Sequence, residues 1–491
     1  MKIKNYDRLV SHGNIKGRKD ILEILNAALE AIDPAERTKA AVRIEGNRLI
    51  VGGPAFEAPG DPNSGLAVYE LDAIDNIWVI GFGKGVQDSA KALEEILGDK
   101  LTGGELIVKH GDPNTLEKIH VTYGAHPVPD EGCVEGCRRI LALSEKVTEK
   151  DLVFSISANG ISSLLTLPVP GITLEEVQKI TSIIQIEKGV STRELNKVRN
   201  HVDMMKGGRV SRYFKKAQMV HLLLIGLQSG GGGSEVVLNG YEQIMRGNIW
   251  LHTLCEGSTF QDAIGVLREN DAWDDMPQSV LDYLQAAPEE NETVKYDEFH
   301  TFPSRVFGIM SGMGSHIASA IAKAQALGYN TLDLVSGLQA EAAQAAYYSM
   351  AIARSCANKG APVKTPCCIF TSGELLVTCG ENPGVGGRNQ EYVLAAATRM
   401  HLSPHSVIAA VDTDGTDGPG GFIAEDAPVC LAGAIADSTT VIEAEKLGLD
   451  ITEALRTHNT SHIHWRLDNG IVTEQAISLG DIGILLIQEA D

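Results

Sequence analysis

Two glycine-dense stretches carry most of the reactive side chains. Gly384 to Tyr392 reads GVGGRNQEY, and Val411 to Gly421 reads VDTDGTDGPGG. The first sets a guanidinium, Arg388, beside Asn389, Gln390 and the carboxylate of Glu391, directly after Gly386 and Gly387. The second crowds Asp412, Asp414 and Asp417 into a loop too rich in glycine to be helical. Glycine lets a backbone approach a ligand closely and turn its N–H groups toward an anion. Arginine grips phosphate or carboxylate with two prongs. Aspartates beside such a pocket hold a metal, a hydroxyl or a proton. Two tight turns with solvated aspartates are the simpler alternative, but turns seldom need Gly, Asp and Arg together at this density.

A third stretch, GFGKG (Gly81 to Gly85), lies between an apolar run, Ile77 to Ile80, and a helical pattern, Asp88 to Leu97. Strand, glycine loop and helix in that order place an anion at a helix N-terminus. The pattern is neither a full GxGxxG nor a P-loop. Lys84, between Gly83 and Gly85, would face a phosphate there. His126 is held by the prolines of AHPVPDEG. The turn after Leu152 to Ser157 offers Asn159 and Ser162 to substrate hydroxyls or phosphate. NKVRNHVDMMKGGR (Asn196 to Arg209) is locally basic in an acidic chain. It reads either as a solvated helix face or, with Lys206, as the positive wall of an anion pocket.

These side chains need a scaffold of alternating strands and helices. Helical spacing runs over Asp20 to Ile32 with Asp20 as the cap, and a hairpin turns at EGN (Glu45 to Asn47). Leu152 to Ser157 and Ile482 to Ile487 read as buried strands, and Thr173 to Gln185 as a helix capped by its threonine. Gln218 to Glu235 is a strand followed by four consecutive glycines, Gly230 to Gly233, either mobile or pressed against a ligand. The acidic, proline-punctuated run Glu289 to Ser304 is the candidate linker. Glycine loops follow the strands throughout, which predicts an α/β fold with mostly parallel sheets and ligands at the carboxyl ends of the strands.

Composition bounds the function. The 491 residues suffice for two or three domains. A net charge of −22 and only 5% aromatic residues argue against nucleic acid and anionic membranes as partners. Eight cysteines without a CxxC pair suggest reduced thiols. The polar N-terminus and the lack of a run of about 18 apolar residues predict a soluble, cytoplasmic protein. DTDGTDG resembles a calcium loop, but Asp417 stands where that loop needs glycine and no glutamate closes it. His458, His462 and His464 find no completing Cys or Glu nearby. No metal-ligand set of the protein's own is expected.

GFGKG, AHPVPDEG, NKVRNHVDMMKGGR, GGRNQE and TDGTDGP together resemble the type II glycerate kinases, the glycerate 2-kinase family. Its members are also labelled hydroxypyruvate reductase, and its C-terminal part is called MOFRL. The similarity runs from about residue 20 to 487. It implies a Rossmann-like N-terminal α/β domain (1–300), a MOFRL-type C-terminal α/β domain (301–491) and a cleft between them. It implies transfer of the ATP γ-phosphoryl to the 2-hydroxyl of D-glycerate or a related sugar acid, with Mg²⁺. Partners are then a sugar acid and a nucleotide, and a homodimer is compatible. By this resemblance Lys84 stabilises the transferring phosphoryl, Arg388 grips phosphate or carboxylate, and Asp414 and Asp417 are the acids of the TDGxDG motif. Gly83, Gly85, His126, Asn159, Ser162, Lys206, Gly386, Gly387, Asn389, Glu391, Asp412 and Asp481 complete the expected binding set. Three loops depart from the family. Ala158 to Ser162 replaces a Ser-Gly-Gly turn. Gly226 to Ser229 and the glycines after it replace a loop bearing an aspartate, the family's favoured catalytic base. TEQAISLG (Thr473 to Gly480) replaces a Thr/Gly run, although Asp481 survives. Two alternatives therefore stand beside the kinase: an isomerase or lyase of a sugar acid on the same scaffold, and a non-catalytic binder of an anionic metabolite.

Overall fold

The structure is a computed structural model that describes residues 1–126, 128–225, 240–310, 315–379, 383–474, 477 and 479–489. The four-glycine loop and the Gly226 to Ser229 segment lie outside the described residues, as does part of TEQAISLG. The chain forms two compact units. One joins Pro34–Gly232 to Val236–Gly312, and the other joins Met1–Asp33 to Met313–Asp491.

The first unit begins with the helix Pro34–Ala41 and a small antiparallel sheet, β1 (Val42–Glu45), β2 (Arg48–Val51) and β3 (Ala67–Glu70). The β1–β2 hairpin turns at Gly46 and Asn47, as the EGN signal predicts. Its main sheet comprises β4 (Ile77–Phe82), β5 (Leu101–Lys109), β6 (Ile119–Gly124), β7 (Leu152–Ser157), β8 (Gln218–Leu223) and β9 (Ser304–Gly308). The order is β6-β5-β4-β7-β8-β9, and every pairing is parallel. Strands buried on both faces must be apolar throughout; Ile77, Val79, Ile80, Phe82 and all six residues of β7 are buried. The chain builds outward from β4 to β6, returns beside β4 as β7, and builds outward again. The switch point of this sheet therefore lies between β4 and β7, where ligands of such sheets bind.

The expected linker belongs to this unit. Glu292 meets His201 at 2.9 Å, Val294 and Phe299 are buried, and Ser304 opens β9 against β8. The packing thus separates the units differently from the expected division at residue 300.

The second unit holds β10 (Asn330–Leu338), β11 (Cys367–Gly373), β12 (Ser406–Asp412), β13 (Gly433–Asp437), β14 (Gly470–Ile471) and β15 (Asp481–Ile487), in the order β10-β11-β15-β12-β13-β14. Only β10 and β11 pair in parallel; the other pairings are antiparallel. This corrects the expectation of mostly parallel strands here. No crossover helix separates β12 from β13, only the aspartate-glycine loop, so the chain returns antiparallel.

The N-terminal helix Ile15–Glu30 is part of this second unit. Asn14, not Asp20, caps it, accepting from Gly17 N at 3.0 Å. Ile21, Leu22, Ile24, Leu25 and Ala28 are buried. Arg18 is the fixing point. Its Nε donates to Asp437 Oδ2 at 2.6 Å, Nη1 to Leu9 O at 3.0 Å and Nη2 to Asn469 Oδ1 at 2.8 Å. Both side chains of the Arg18–Asp437 pair are 0% exposed. Removing one partner of a buried pair strands the other charge at a cost of roughly 3–5 kcal/mol. Arg18→Leu is expected to lower the stability of this unit by about that amount, measured by urea unfolding of the intact chain; a loss below about 1 kcal/mol would refute the buried-pair argument. Among the described residues, no helix is long and apolar enough to cross a membrane.

Candidate active site

In the first unit, β4 and β7 end level with each other, Phe82 opposite Ser157. Their loops leave the sheet side by side and touch through backbone. Lys84 N donates to Asn159 O at 2.8 Å, and Ala158 N to Phe82 O at 3.2 Å. Gly83 adopts φ +128°, and a Cβ there would lie 2.7 Å from Ala158 O. Gly85, at φ 73°, is the N-cap of the helix Val86–Leu97. Gly83 is thus required by the close approach of one loop to the other, and Gly85 by its left-handed backbone. Gly160, at φ +87°, lies under two side chains: an added Cβ would come 3.2 Å from His126 Cδ2 and 3.4 Å from Lys84 Cγ. Lys84 and His126 therefore meet over Gly160 at the carboxyl end of the sheet, both half-buried. Ser162, two residues on, has His252 Nε2 at 2.9 Å from its Oγ.

Lys206 does not join this group. It is fully buried, and Nζ donates to Leu165 O at 2.6 Å, Asp203 Oδ2 at 2.7 Å and Thr166 Oγ1 at 2.9 Å. An ammonium has three protons, and all three are taken. The basic stretch around it is likewise internal. Arg199 donates to Thr181 Oγ1 at 2.8 Å, and Arg209 Nη1 to the carbonyls of Asn200, Asp203 and Lys206 at 2.6 to 3.0 Å. Lys206 and Arg209 brace carbonyl-rich turns and Arg199 holds the Thr181 hydroxyl, so these cations do not form the wall of an anion pocket.

In the second unit, the helix Arg388–Ala397 starts at Gly387. Its N-terminal N–H groups meet a carboxylate of the chain itself. Asp417 accepts from Asn389 N at 3.0 Å and Gln390 N at 2.9 Å, and from both of their side-chain amides at 3.1 Å. Asp417 is 1% exposed. Burial pushes its carboxyl up to about 6, against the pull of the Asn389 and Gln390 N–H groups. Gly386 and Gly387 serve the same packing. A Cβ on Gly387 would lie 2.1 Å from Asp417 O, and one on Gly386 2.5 Å from His458 O. Glu391 faces His458 Nδ1 at 2.8 Å. The structure accordingly gives Asp417, Gly386, Gly387 and Glu391 partners within the protein, where a ligand was expected.

Arg388 is the centre of what remains. Nε donates to Asp481 Oδ2 at 2.8 Å, Nη2 to Asp412 Oδ2 at 2.8 Å and Nη1 to Glu374 Oε1 at 3.3 Å. Asn389 Nδ2 donates to Asp481 Oδ1 at 2.7 Å, and Asp414 N donates to Asp412 Oδ1 at 3.1 Å. Thr416 donates to Asp414 Oδ1 from both N, at 2.8 Å, and Oγ1, at 2.6 Å. The Arg388 side chain keeps 24% of its surface open. Burial, then the charge of Asp414, pushes the Asp412 carboxyl upward, with Arg388 opposing. Burial also raises Asp481, again against Arg388. One guanidinium among four carboxylates leaves local negative charge, which favours a cation-bearing phosphate over a bare one. Among the described residues, no group of three His, Cys, Asp or Glu side chains is arranged to hold a metal by itself. The arrangement suits Mg²⁺, which is commonly held by one or two carboxylates together with substrate phosphates. Glu374 and His252 were not singled out by sequence. Glu374 lies fourteen residues before its partner Arg388 with no motif around it, and His252 reaches Ser162 from ninety residues away.

Comparison with known proteins agrees with this architecture. The family described as a domain of unknown function, DUF4147, matches residues 20–285. The MOFRL family matches residues 367–478. The chain is 31% identical over 442 residues to the glycerate 2-kinase of Pyrococcus horikoshii, covering 89% of this chain and 90% of the relative. It is 29% identical over 392 residues to the D-glycerate 2-kinase of Thermotoga maritima, covering 79% and 84%. The crystal structure of glycerate kinase from Thermotoga maritima superimposes with a TM-score of 0.74 at 25% identity, covering 96% of this chain and 99% of that one. The chain belongs to the glycerate 2-kinase family, with a DUF4147 domain followed by a MOFRL domain.

Proposed function

We propose that the protein is a D-glycerate 2-kinase that moves the γ-phosphoryl of ATP to the 2-hydroxyl of D-glycerate. The observation that carries this reading is the loop pair at the β4/β7 switch point, with Lys84 and His126 over Gly160. Phosphoryl transfer asks mainly for positioning and charge neutralisation. Lys84 supplies a point charge to the transferring group, and the glycine loops supply close backbone approach. Asn159, Ser162 and His126 orient the acid. As the bond from the γ-phosphorus to the β-phosphate oxygen breaks, a bond to the glycerate oxygen forms and the hydroxyl proton passes to His126 or water. A loose transition state of this kind tolerates a weak base, which suits a chain with no acid in Gly226 to Ser229. Within the second unit, Arg388 is fixed by Asp412 and Asp481 as a grip for phosphate or carboxylate. Asp412 and Asp414 are the carboxylates that would share the Mg²⁺ of the nucleotide; the ion neutralises phosphate charge. The reading places the enzyme in the cytoplasm, where ATP is at hand.

The test is direct. Purified protein with ATP, Mg²⁺ and D-glycerate is expected to form 2-phosphoglycerate and ADP, followed by phosphorus NMR. MgATP near a hundredfold over its Kd is expected to raise the melting midpoint by several degrees, since such saturation adds about 2.7 kcal/mol. Absence of both product and shift would overturn the kinase reading in favour of a sugar-acid isomerase or lyase, or an anion binder.

A further inference from the structure

Ser162 stands in the short helix that follows the Gly160 turn. Its side chain is half-buried, with two neighbours at hydrogen-bond distance. His252 Nε2 lies 2.9 Å from Oγ, and Asn196 Nδ2 donates to the same oxygen at 3.5 Å. Both neighbours are closed off from solvent, His252 at 1% exposure and Asn196 at 0%. His252 Nδ1 is buried without a hydrogen-bond partner.

The tautomer of His252 decides what the serine can do. Burial, with the charges of Lys206, Arg199 and Arg209, holds the imidazole well below its ordinary range, so it is neutral. A neutral imidazole has one N–H and one lone pair. At Nδ1 an N–H would be a buried donor with no acceptor, set among three cations. A lone pair there is stabilised by the same cations, and an unsatisfied acceptor is the milder fault. The proton therefore sits on Nε2, and His252 donates to Ser162 Oγ. Asn196 occupies the second lone pair of the hydroxyl. Two lone pairs and one proton complete a hydroxyl's capacity, so the serine proton must point to the open side.

We infer that Ser162 is a dedicated hydrogen-bond donor to an anionic oxygen of the substrates, and that His252, donating from Nε2, is the positioning residue that turns the serine proton outward. The same arrangement disfavours Ser162 as a covalent nucleophile, because its histidine presents an N–H where a base would need a lone pair. The identity of the substrate oxygen rests on the kinase reading above; the tautomer does not.

The experiment has two arms. In the full chain carrying isotope-labelled histidine, the ring nitrogens of His252, assigned by their loss in His252→Gln, are expected to report the Nε2–H form across neutral pH. A protonated Nδ1 would overturn the proposal. In kinetics, Ser162→Ala and His252→Leu are each expected to raise a substrate KM about tenfold or more, the usual scale of a hydrogen bond to a charged group. A threefold smaller effect on kcat is expected, and the double variant should be no worse than the poorer single. His252→Gln, which keeps an N–H near the Nε2 position, should restore KM to within about threefold. A rise confined to D-glycerate assigns the carboxylate, and one confined to ATP assigns a phosphate; either supports the inference, and unmoved KM values for Ser162→Ala overturn it. If His252→Leu fails to fold, the labelled wild type and Ser162→Ala decide. Should the wild type not phosphorylate D-glycerate, the kinase reading falls alone, while the tautomer and the loss of inorganic-phosphate binding in Ser162→Ala still test the donor.

Discussion

Lys84→Ala is expected to lower kcat about a thousandfold while leaving the melting midpoint almost unchanged. A preorganised positive charge on a transferring phosphoryl is worth on the order of 10³ or more in rate. The side chain is half-buried, and the loop around it is held by backbone bonds, Lys84 N to Asn159 O and Ala158 N to Phe82 O. Truncation therefore removes the charge without releasing the loop. Lys84→Arg should recover only part of the rate, since a planar fork does not replace a compact ammonium against Gly160. Single-turnover measurement with saturating MgATP separates chemistry from binding. A loss smaller than about tenfold would remove Lys84 from the phosphoryl group.

The second large effect falls on stability. Asp417→Ala is expected to destabilise the second unit by about 4–6 kcal/mol, because it strands donors whose burial costs about 1–3 kcal/mol each and removes the counter-charge from a helix N-terminus. The orphans are the backbone N–H of Asn389 and Gln390 and their two side-chain amides. Urea unfolding gives the magnitude, and amide exchange at Asn389 and Gln390 locates it. Activity should fall with it, because Arg388 opens that same helix. If the variant lost activity at full stability, Asp417 would be part of the chemistry and not the support of the helix.

The loops that carry these two residues also mark which local structure is legible in the sequence and which is not. The β4 loop with Lys84 was legible because strand, left-handed glycines and helix act within about twenty residues of one another. Asp414 and Asp417 looked equivalent, each before a glycine, yet Asp414 binds its own loop while Asp417 reaches a helix 28 residues earlier in the chain. Gly386 and Gly387 raised the same ambiguity: close approach demands glycine whether the visitor is a ligand or another loop. Lys206 misled because a charge does not disclose its burial, although Asp203 three residues before it was a usable hint. Strand periodicity located β15 but not its direction, since direction depends on the connection and not on side-chain alternation. The acidic Glu289 to Ser304 run resembled a linker by composition, while its anchors, His201 and the core around Phe299, are distant in sequence.

The pairing of the N-terminal helix with the far end of the chain has a consequence for biosynthesis. Arg18 leaves the ribosome 419 residues ahead of Asp437, which at roughly 5–20 residues per second means about 20–80 s of translation. Until the helix Ser315–Ala326 and then β12, on which it packs, have been made, the nascent helix shows Ile21, Leu22 and Leu25 to solvent, and its buried ion pair closes only when Asp437 arrives. The central unit, whose strands are all complete by Gly308, can fold while the first segment waits. Maturation therefore runs from the middle outward, and a holdase that shelters the first thirty or so residues should raise the yield of folded enzyme more than one acting on the finished chain.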